Sequence, residues 1–208
     1  MRRRIAHLIG PLTAACLVLA AACTPIGVAT TAGAVAATAA QEERGLDGAT
    51  RDTVIRATIA KNWLEHDTRL LTGVNLTVLE RRVLLTGALD DTALVDAAVR
   101  LAWQADGVVQ VINELRVNPD RGLGDRTRDA LISSELSRTL LFDSEIKSIN
   151  YAVDVVERTV YVMGVAQNQT ELDRVLSWAR NTDYVRRVVS HVRLKTDPAR
   201  VGPRGEAL

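Results

Sequence analysis

Val83-Leu-Leu-Thr-Gly87 is a short stretch of strand-forming residues that ends in glycine. The chain then continues through a helix-like segment to a second apolar run over residues 108–117. The same order of features returns at Val160-Tyr-Val-Met-Gly164 and ends in an equivalent apolar run. The two glycines lie 77 residues apart, and this offset aligns residues 50–117 with residues 127–194 without a gap. We therefore interpret the chain as two copies of one small unit.

Each copy contains patterns for two helices and three strands. Ile55, Ile59 and Trp63 recur every four residues, which is typical of the buried face of a helix. Apolar residues alternate over residues 74–78 and 151–155, which predicts the first strand of a β-hairpin in each copy. A second helix and a third strand follow, and the third strand should lie parallel to its neighbour because a helix separates the two. The sequence thus predicts an α+β fold of two tandem αββαβ domains, each with a three-stranded mixed sheet packed on two helices.

Polar residues mark the turns and the helix starts of both copies. Glu80-Arg81 and Glu157-Arg158 stand where the hairpins must turn. Asp91 and Asn168 have side chains suited to cap the second helix of each copy. For this reason we interpret Asp90-Asp91 as part of a helix cap and not as a pair of catalytic carboxylates. The two repeat glycines are expected where a side chain would clash with a neighbouring segment or where φ is unusual.

Length and composition fit a globular protein with an export segment. The chain has 208 residues, of which 47% are apolar and 25% are charged, and these values allow one or two small cores. In chain order we predict a signal peptide (1–22), a lipidated flexible tether (23–49), a first domain (50–118), a linker (119–126), a second domain (127–196) and a polar tail (197–208).

The N-terminus has the pattern of a bacterial lipoprotein signal. Three arginines follow Met1, residues 5–22 contain no Asp, Glu, Lys or Arg, and Ala20-Ala-Ala-Cys23 resembles a lipobox. The small residues suit signal-peptide cleavage, and the thiol of Cys23 would receive the acyl chains. A plain signal peptide with an incidental cysteine is the alternative. Thr24 in place of aspartate favours sorting to the outer membrane, with the protein facing the periplasm.

The net charge argues against a nucleic-acid partner. The full chain carries +1, and loss of the signal peptide removes three arginines and no acid, which leaves −2. A nucleic-acid-binding surface would require a marked positive charge. The basic residues between Arg186 and Arg204 are interpreted as a solvated strand edge and tail.

The repeated unit resembles the BON domain, a small α/β module of bacterial envelope proteins. In copy one the resemblance is carried by the alternation before Gly87, then by Ala97, Ala102, Gly107, Val108, Val111, Asn113, Leu115 and Val117. In copy two it is carried by Gly164, Ala179, Val185, Val188 and Leu194, with Tyr184 in place of the glycine and Ser190 in place of the asparagine. Two such domains behind a lipobox are similar to the dual-BON family of outer-membrane lipoproteins, and the resemblance covers nearly all of residues 23–196.

This resemblance implies a membrane as the partner. Members of the family bind anionic phospholipid through the first helix of the second domain and support envelope integrity. That helix corresponds to about residues 128–142, and Leu131 stands where well-matched members have a tryptophan. The implied lipid-binding residues are Arg128, Leu131, Arg138, Leu141, Phe142 and Lys147. Asp129 and Glu135 on the same helix would oppose an anionic membrane.

Two alternatives stay open at the level of sequence. Leu131 and Leu141 could pack against the first domain or the linker, since apolar stripes on helices are usually core. The domains could also dock an envelope enzyme or assembly machine through exposed strand edges, which is the rival to lipid binding. Exposure of Leu131 and Phe142 would favour lipid, and their burial would favour protein docking.

No residue pattern indicates catalysis or a bound cofactor. The sequence shows neither a glycine-rich phosphate loop nor a metalloprotease helix. His66 and His191 lie far apart and lack a nearby cysteine or a paired histidine, so we predict no metal site. Trp63, Trp103 and Trp178 are expected in the core or between the domains rather than in a ligand site.

Overall fold

The chain follows the predicted order of helices and strands in both repeats, apart from one short additional helix in the first repeat. The structure is a computed structural model that describes residues 41–120 and 122–200. The predicted signal peptide, the predicted lipidation site Cys23 and most of the predicted tether lie outside the described residues, as does the end of the predicted tail.

Two domains of the same construction follow one another along the chain. The first contains α1 (Gly45–His66), α2 (Thr68–Gly73), β1 (Val74–Leu79), β2 (Arg82–Leu89), α3 (Thr92–Trp103) and β3 (Gln110–Val117). The second contains α4 (Leu123–Phe142), β4 (Tyr151–Val156), β5 (Thr159–Ala166), α5 (Gln169–Asn181) and β6 (Arg187–Leu194). Short 3-10 turns lie at Ser148–Asn150 and Pro198–Arg200. The predicted α+β fold with two three-stranded sheets is confirmed.

Both sheets have the same strand order and register. β1 pairs antiparallel with β2, and β2 pairs parallel with β3. β4, β5 and β6 repeat this arrangement. Val83 lies beside Val111, and Val160 lies beside Val188. The parallel step is therefore confirmed, and α3 or α5 packs against the sheet that it connects.

The helices differ from the predicted boundaries, and one helix is additional. α1 begins at Gly45 and α4 at Leu123, several residues before the predicted domain starts. α2 was not predicted from the sequence. The Asp67 side chain caps it by accepting a hydrogen bond from the Arg69 N–H at 2.8 Å, and Leu70 lies fully inside the core. A segment of six residues is too short to show a helical period.

A buried aspartate holds each hairpin turn. The turn residues Glu80-Arg81 and Glu157-Arg158 all have positive φ, between 51° and 62°. Asp52 on α1 accepts hydrogen bonds from both N–H groups of the first turn, at 2.9 and 2.8 Å. Asp129 on α4 does the same for the second turn, at 2.8 and 2.9 Å. Such turns usually contain Asn or Gly, so the carboxylates offset the backbone strain of the Glu-Arg pairs.

The two repeat glycines lie where another chain segment passes closely. A Cβ on Gly87 would stand 2.2 Å from the carbonyl oxygen of Gly73. A Cβ on Gly164 would stand 2.5 Å from the carbonyl oxygen of Asn150. The expectation that a side chain would clash at these positions is confirmed, because any larger residue would displace the segment that leads into β1 or β4.

The two sheets pack against each other with the faces that carry no helices. Every residue of β2 and β5 is buried, because one strand face meets the helices and the other meets the opposite sheet. The shared cluster contains Leu79, Leu84, Ile112, Val156, Tyr161, Met163 and Val189. Leu84 and Tyr161 occupy equivalent repeat positions, as do Ile112 and Val189. This self-pairing indicates that an approximate two-fold axis relates the domains.

Arg200, in the described part of the predicted polar tail, is not solvated as the sequence suggested. Arg200 is buried and pairs with the buried carboxylate of Glu80. The Arg200 Nε lies 3.0 Å from both carboxylate oxygens, and Nη1 donates to the carbonyl oxygen of Lys195 at 2.9 Å. A buried carboxylate requires a partner of opposite charge. The first hairpin turn obtains this partner from a residue 120 positions later.

The three tryptophans have different environments. Trp63 is buried, and its indole N–H donates to the carbonyl oxygen of Ala98 at 3.2 Å. Trp103 is 51% exposed and Trp178 is 41% exposed, so the prediction of core or inter-domain packing was wrong for both. Trp103 ends α3 outside its buried stripe. Trp178 lies beside the end of α4, where its indole N–H donates to Asp143 at 2.8 Å.

Candidate functional site

α4 carries apolar side chains on two opposite faces. The buried face consists of Asp129, Ile132, Leu136 and Leu140. On the outward side, Leu131 is 64% exposed and Phe142 is 79% exposed, and Leu141 is exposed as well. The alternative in which Leu131 and Leu141 pack against the first domain or the linker is therefore wrong for the described part of the chain.

Two grooves run along the outward side of α4. The first has a volume of about 590 Å³, and its lining includes Arg128, Leu131, Glu135, Arg138, Asp183 and Tyr184. The second has a volume of about 480 Å³, and its lining includes Arg138, Phe142, Asp143, Arg174 and Trp178. Arg138 lines both grooves and is the cationic side chain that they share.

Two arginines of α4, Arg128 and Arg138, line the first groove and are accessible to an anionic ligand. Among the residues that the structure describes, Arg138 has no hydrogen-bonded or ion-paired side chain as partner. The guanidinium carbon of Arg128 lies 5.8 Å from the centre of the Tyr184 ring. Glu135 and Asp183 line the same groove. The negative charges of the two acids partly cancel the positive charges of the two arginines, so the groove attracts an anion only moderately.

The other arginine of the second groove, Arg174, is already neutralised by neighbouring carboxylates. The Arg174 Nε lies 2.7 Å from Asp143, and its Nη1 lies 2.6 Å from Glu145. Hydrogen bonds from Arg174 and from the indole N–H of Trp178 hold the pKa of Asp143 below its usual value. Asp143 therefore stays ionised at neutral pH and fixes both Arg174 and the Trp178 ring at the end of α4.

The structure brings together four of the six predicted lipid-binding residues. Arg128, Leu131, Arg138 and Phe142 line the grooves. Leu141 is exposed but is not part of either lining. Lys147 is also outside them, and its ammonium group lies 3.7 Å from the carboxylate of Glu43.

The sequence did not predict two aromatic residues of the grooves as site residues. Tyr184 is 69% exposed and has φ +66°. The equivalent position in the first domain is Gly107, with φ +90°. A tyrosine where the other repeat has glycine was a usable signal in the sequence. Trp178 gave no such signal, because its position on an amphipathic helix is equally compatible with the core.

Two further kinds of feature are absent from the described residues, namely a membrane-spanning helix and a metal-binding cluster. Within residues 41–120 and 122–200, each helix is either too short or too polar to span a bilayer. These residues also contain no group of three or more His, Cys, Asp or Glu side chains placed to hold a metal ion. His191 instead lies 3.0 Å from Glu114 at the contact between the two sheets.

Both repeats match the same family of domains. The BON domain matches residues 47–119 and again residues 128–196. An Anaplasma centrale protein named "Uncharacterized protein in gshII 5'region" is 36% identical over 145 residues, which cover 69% of this chain and 95% of that protein. Osmotically-inducible protein Y of Escherichia coli K12 is 25% identical over 146 residues, 69% of this chain and 73% of that protein. Outer membrane lipoprotein DolP of Haemophilus influenzae is 29% identical over 97 residues, 46% of this chain and 50% of that protein.

Proposed function

Because this chain belongs to the BON-domain family and contains two copies of the domain, we propose that it is an envelope-associated protein that binds anionic phospholipid through the outward face of α4. An outer-membrane lipoprotein and an osmotically inducible protein are among its relatives, which supports the envelope role. In the proposed contact, Leu131 and Phe142 insert among the acyl chains. Arg128 and Arg138 lie beside the phosphate groups.

The exposure of Leu131 and Phe142 is the observation that carries this proposal. Helices of globular proteins bury their large apolar side chains, and full burial of one such side chain contributes about 1.5–3 kcal/mol. Two such residues left in water on one side of a helix are typical of a contact surface. They lie three turns apart, or roughly 16 Å along the helix axis.

The charged side chains around Leu131 and Phe142 attract an anionic membrane, but this attraction is weak. A basic side chain near an anionic membrane contributes roughly 1 kcal/mol, and Arg138 is not paired with any other described residue. Glu135 and Asp183 reduce this attraction. We therefore expect apolar insertion to dominate the binding, and added salt to weaken it only moderately.

A lipid anchor at Cys23 in the outer membrane, facing the periplasm, forms part of the proposal. Two acyl chains already suffice for stable attachment, so α4 would not have to hold the protein at the membrane alone. An anchored domain has a high effective concentration at the bilayer. A weak contact through α4 would then be enough to orient the domains against the inner leaflet and to support envelope integrity.

Vesicle sedimentation tests the proposed contact. The fragment 41–208, which contains both folded domains, would be mixed at low salt with phosphatidylcholine vesicles of increasing phosphatidylglycerol content. The Leu131→Glu variant should bind about tenfold more weakly, because it replaces an inserted apolar group by a charge. Val54→Glu is the matched control, since Val54 is exposed at the equivalent position of α1.

The outcomes of this experiment separate the candidate functions. Absence of vesicle binding by the unaltered fragment, or equal loss in both variants, would contradict the lipid contact. A stoichiometric envelope protein that stays bound after lipid removal, and is lost in Leu131→Glu, would assign the same surface to protein docking.

A further inference from the structure

We propose that Trp178 and Tyr184 are interfacial anchors that flank α4 and hold it at the headgroup level of an anionic membrane, an inference that rests on the proposed function. Neither residue belongs to α4. Trp178 lies on α5, and Tyr184 lies in the turn between α5 and β6. Each contributes to one of the two grooves along the helix.

The first domain serves as an internal comparison, because it has the same fold without these rings. Val54 and Leu64 of α1 are exposed at the positions equivalent to Leu131 and Leu141. The first domain has Glu65, Leu101 and Gly107 where the second has Phe142, Trp178 and Tyr184. The chain has three Trp, three Tyr and one Phe, and three of these seven aromatic residues, Phe142, Trp178 and Tyr184, line the grooves along α4. If the fold itself required these aromatic rings, both repeats would contain them. Because only the second repeat has them, the fold does not explain their presence.

Tyr184 has a backbone conformation that side chains with a Cβ normally avoid. Its φ of +66° is close to that of Gly107 in the other repeat, where glycine adopts it freely. Burial of the ring does not compensate for this strain, because the side chain is largely exposed. Within the described residues its ring contact is the guanidinium group of Arg128. Strain without burial indicates that the ring acts on something outside the protein.

Trp178 combines an open ring face with a fixed orientation. Its indole N–H donates to Asp143 at 2.8 Å, and Asp143 is itself held by Arg174. The ring lines the second groove together with Phe142. An aromatic side chain with a bonded polar end and an exposed apolar face suits the boundary between water and hydrocarbon, where Trp and Tyr are enriched.

The cation between the two rings indicates what kind of surface they meet. Arg138 lines both grooves. A phosphate group on Arg138 would have Tyr184 on one side and Trp178 with Phe142 on the other. This combination of a phosphate contact with apolar groups on both sides matches a phospholipid headgroup above its acyl chains.

Replacement of each ring by the residue of the first domain tests the inference. Tyr184→Gly and Trp178→Leu in the fragment 41–208 would be measured against vesicles of equal parts phosphatidylglycerol and phosphatidylcholine. Each variant should bind about three- to tenfold more weakly, and the double variant about thirtyfold. The melting temperature of Tyr184→Gly should be unchanged or higher, because glycine removes the backbone strain. Trp103→Leu, which removes an exposed tryptophan of the first domain, should bind like the unaltered fragment.

Fluorescence gives a second readout that does not depend on affinity. In a Trp103→Phe background, Trp178 and the buried Trp63 are the two tryptophans left in the chain, and excitation at the red edge of the absorption selects them over tyrosine. Vesicles should shift the emission to shorter wavelength, and brominated acyl chains should quench it. Absence of both changes in vesicle-bound protein would overturn the role of Trp178.

The results distinguish this inference from the proposed function. If the unaltered fragment does not bind vesicles, the proposed function fails. If it binds, and Leu131→Glu loses binding while Tyr184→Gly and Trp178→Leu do not, the lipid contact stands and the aromatic anchors are disproved.

Discussion

Thr77 donates a hydrogen bond to the carboxylate of Asp154 at 3.2 Å across the contact between the two sheets. The two residues occupy the same position in β1 and β4, 77 residues apart. Glu114 and His191 repeat this relationship between β3 and β6, at 3.0 Å and with the same separation. Equivalent residues meet where a two-fold axis passes. The duplicated unit therefore packs on itself as an internal dimer.

Asp154 should limit stability at neutral pH. Its burial between the sheets raises the pKa of the carboxyl group above the ordinary value of 3.8, although hydrogen bonds from Thr77 and Thr86 act in the opposite direction. Asp154→Asn removes the charge and keeps an acceptor for Thr77. The free energy of unfolding at pH 7 should rise by roughly 1 kcal/mol, which urea unfolding would measure.

The stability gained by Asp154→Asn should depend on pH. The folded protein holds the Asp154 proton more tightly than the unfolded chain does. The charge is therefore harmless below the ordinary pKa and destabilising once the pH has risen through the raised pKa. The advantage of Asp154→Asn should shrink as the pH falls from about 7 to about 4. An advantage that stays constant over this range would contradict the explanation.

Arg200→Met should destabilise the protein strongly, although the residue lies near the C-terminus. The substitution leaves the buried carboxylate of Glu80 without its partner, which typically costs about 3–5 kcal/mol. Denaturant unfolding would measure the loss. The double variant Glu80→Gln with Arg200→Met should recover part of it, because no unpaired charge remains. Equal stability of the single and double variants would show that the ion pair is not the cause.

Asp129→Ala should loosen the second hairpin turn. It leaves the N–H groups of Glu157 and Arg158 without their acceptor, and each buried unsatisfied group costs about 1–3 kcal/mol. Hydrogen exchange at these two amides should become faster. Asp129→Asn retains one acceptor oxygen and should lose less stability. If the exchange rates stay unchanged in the alanine variant, the carboxylate does not hold the turn.

Glu135→Gln should strengthen vesicle binding. Glu135 lines the first groove together with Arg128 and Arg138, and its charge opposes an anionic membrane. Removal of one charge near such a surface corresponds to about 1 kcal/mol, or roughly fivefold in affinity. Glu65→Gln makes the same chemical change on α1 and should have little effect. Equal gains in both variants would indicate a general effect of net charge.

Part of the candidate site could be predicted from the sequence. The resemblance identified α4 as the candidate site, and four residues that line its grooves, Arg128, Leu131, Arg138 and Phe142, were among the predicted ones. Exposure could not be predicted, because α4 has apolar residues on both faces and only its neighbours determine which face is core. The prediction for Trp178 failed for the same reason.

The sequence by itself determined the duplication, the αββαβ order, the hairpin turns and the helix caps. Asp91, for example, caps α3 by accepting a hydrogen bond from the Leu94 N–H at 2.9 Å, three residues away. These features depend on residues close together along the chain, and a periodic pattern is enough to reveal them.

Only the tertiary structure decided how the two sheets meet, which aromatic rings remain in water and which arginine is buried. The Glu80–Arg200 pair joins residues 120 positions apart, and the Thr77–Asp154 contact joins residues 77 positions apart. Hydrophobic burial and ion pairing act on whatever surfaces come together in space. Local patterns do not specify those surfaces, so the aromatic neighbours of α4 became visible only in the folded chain.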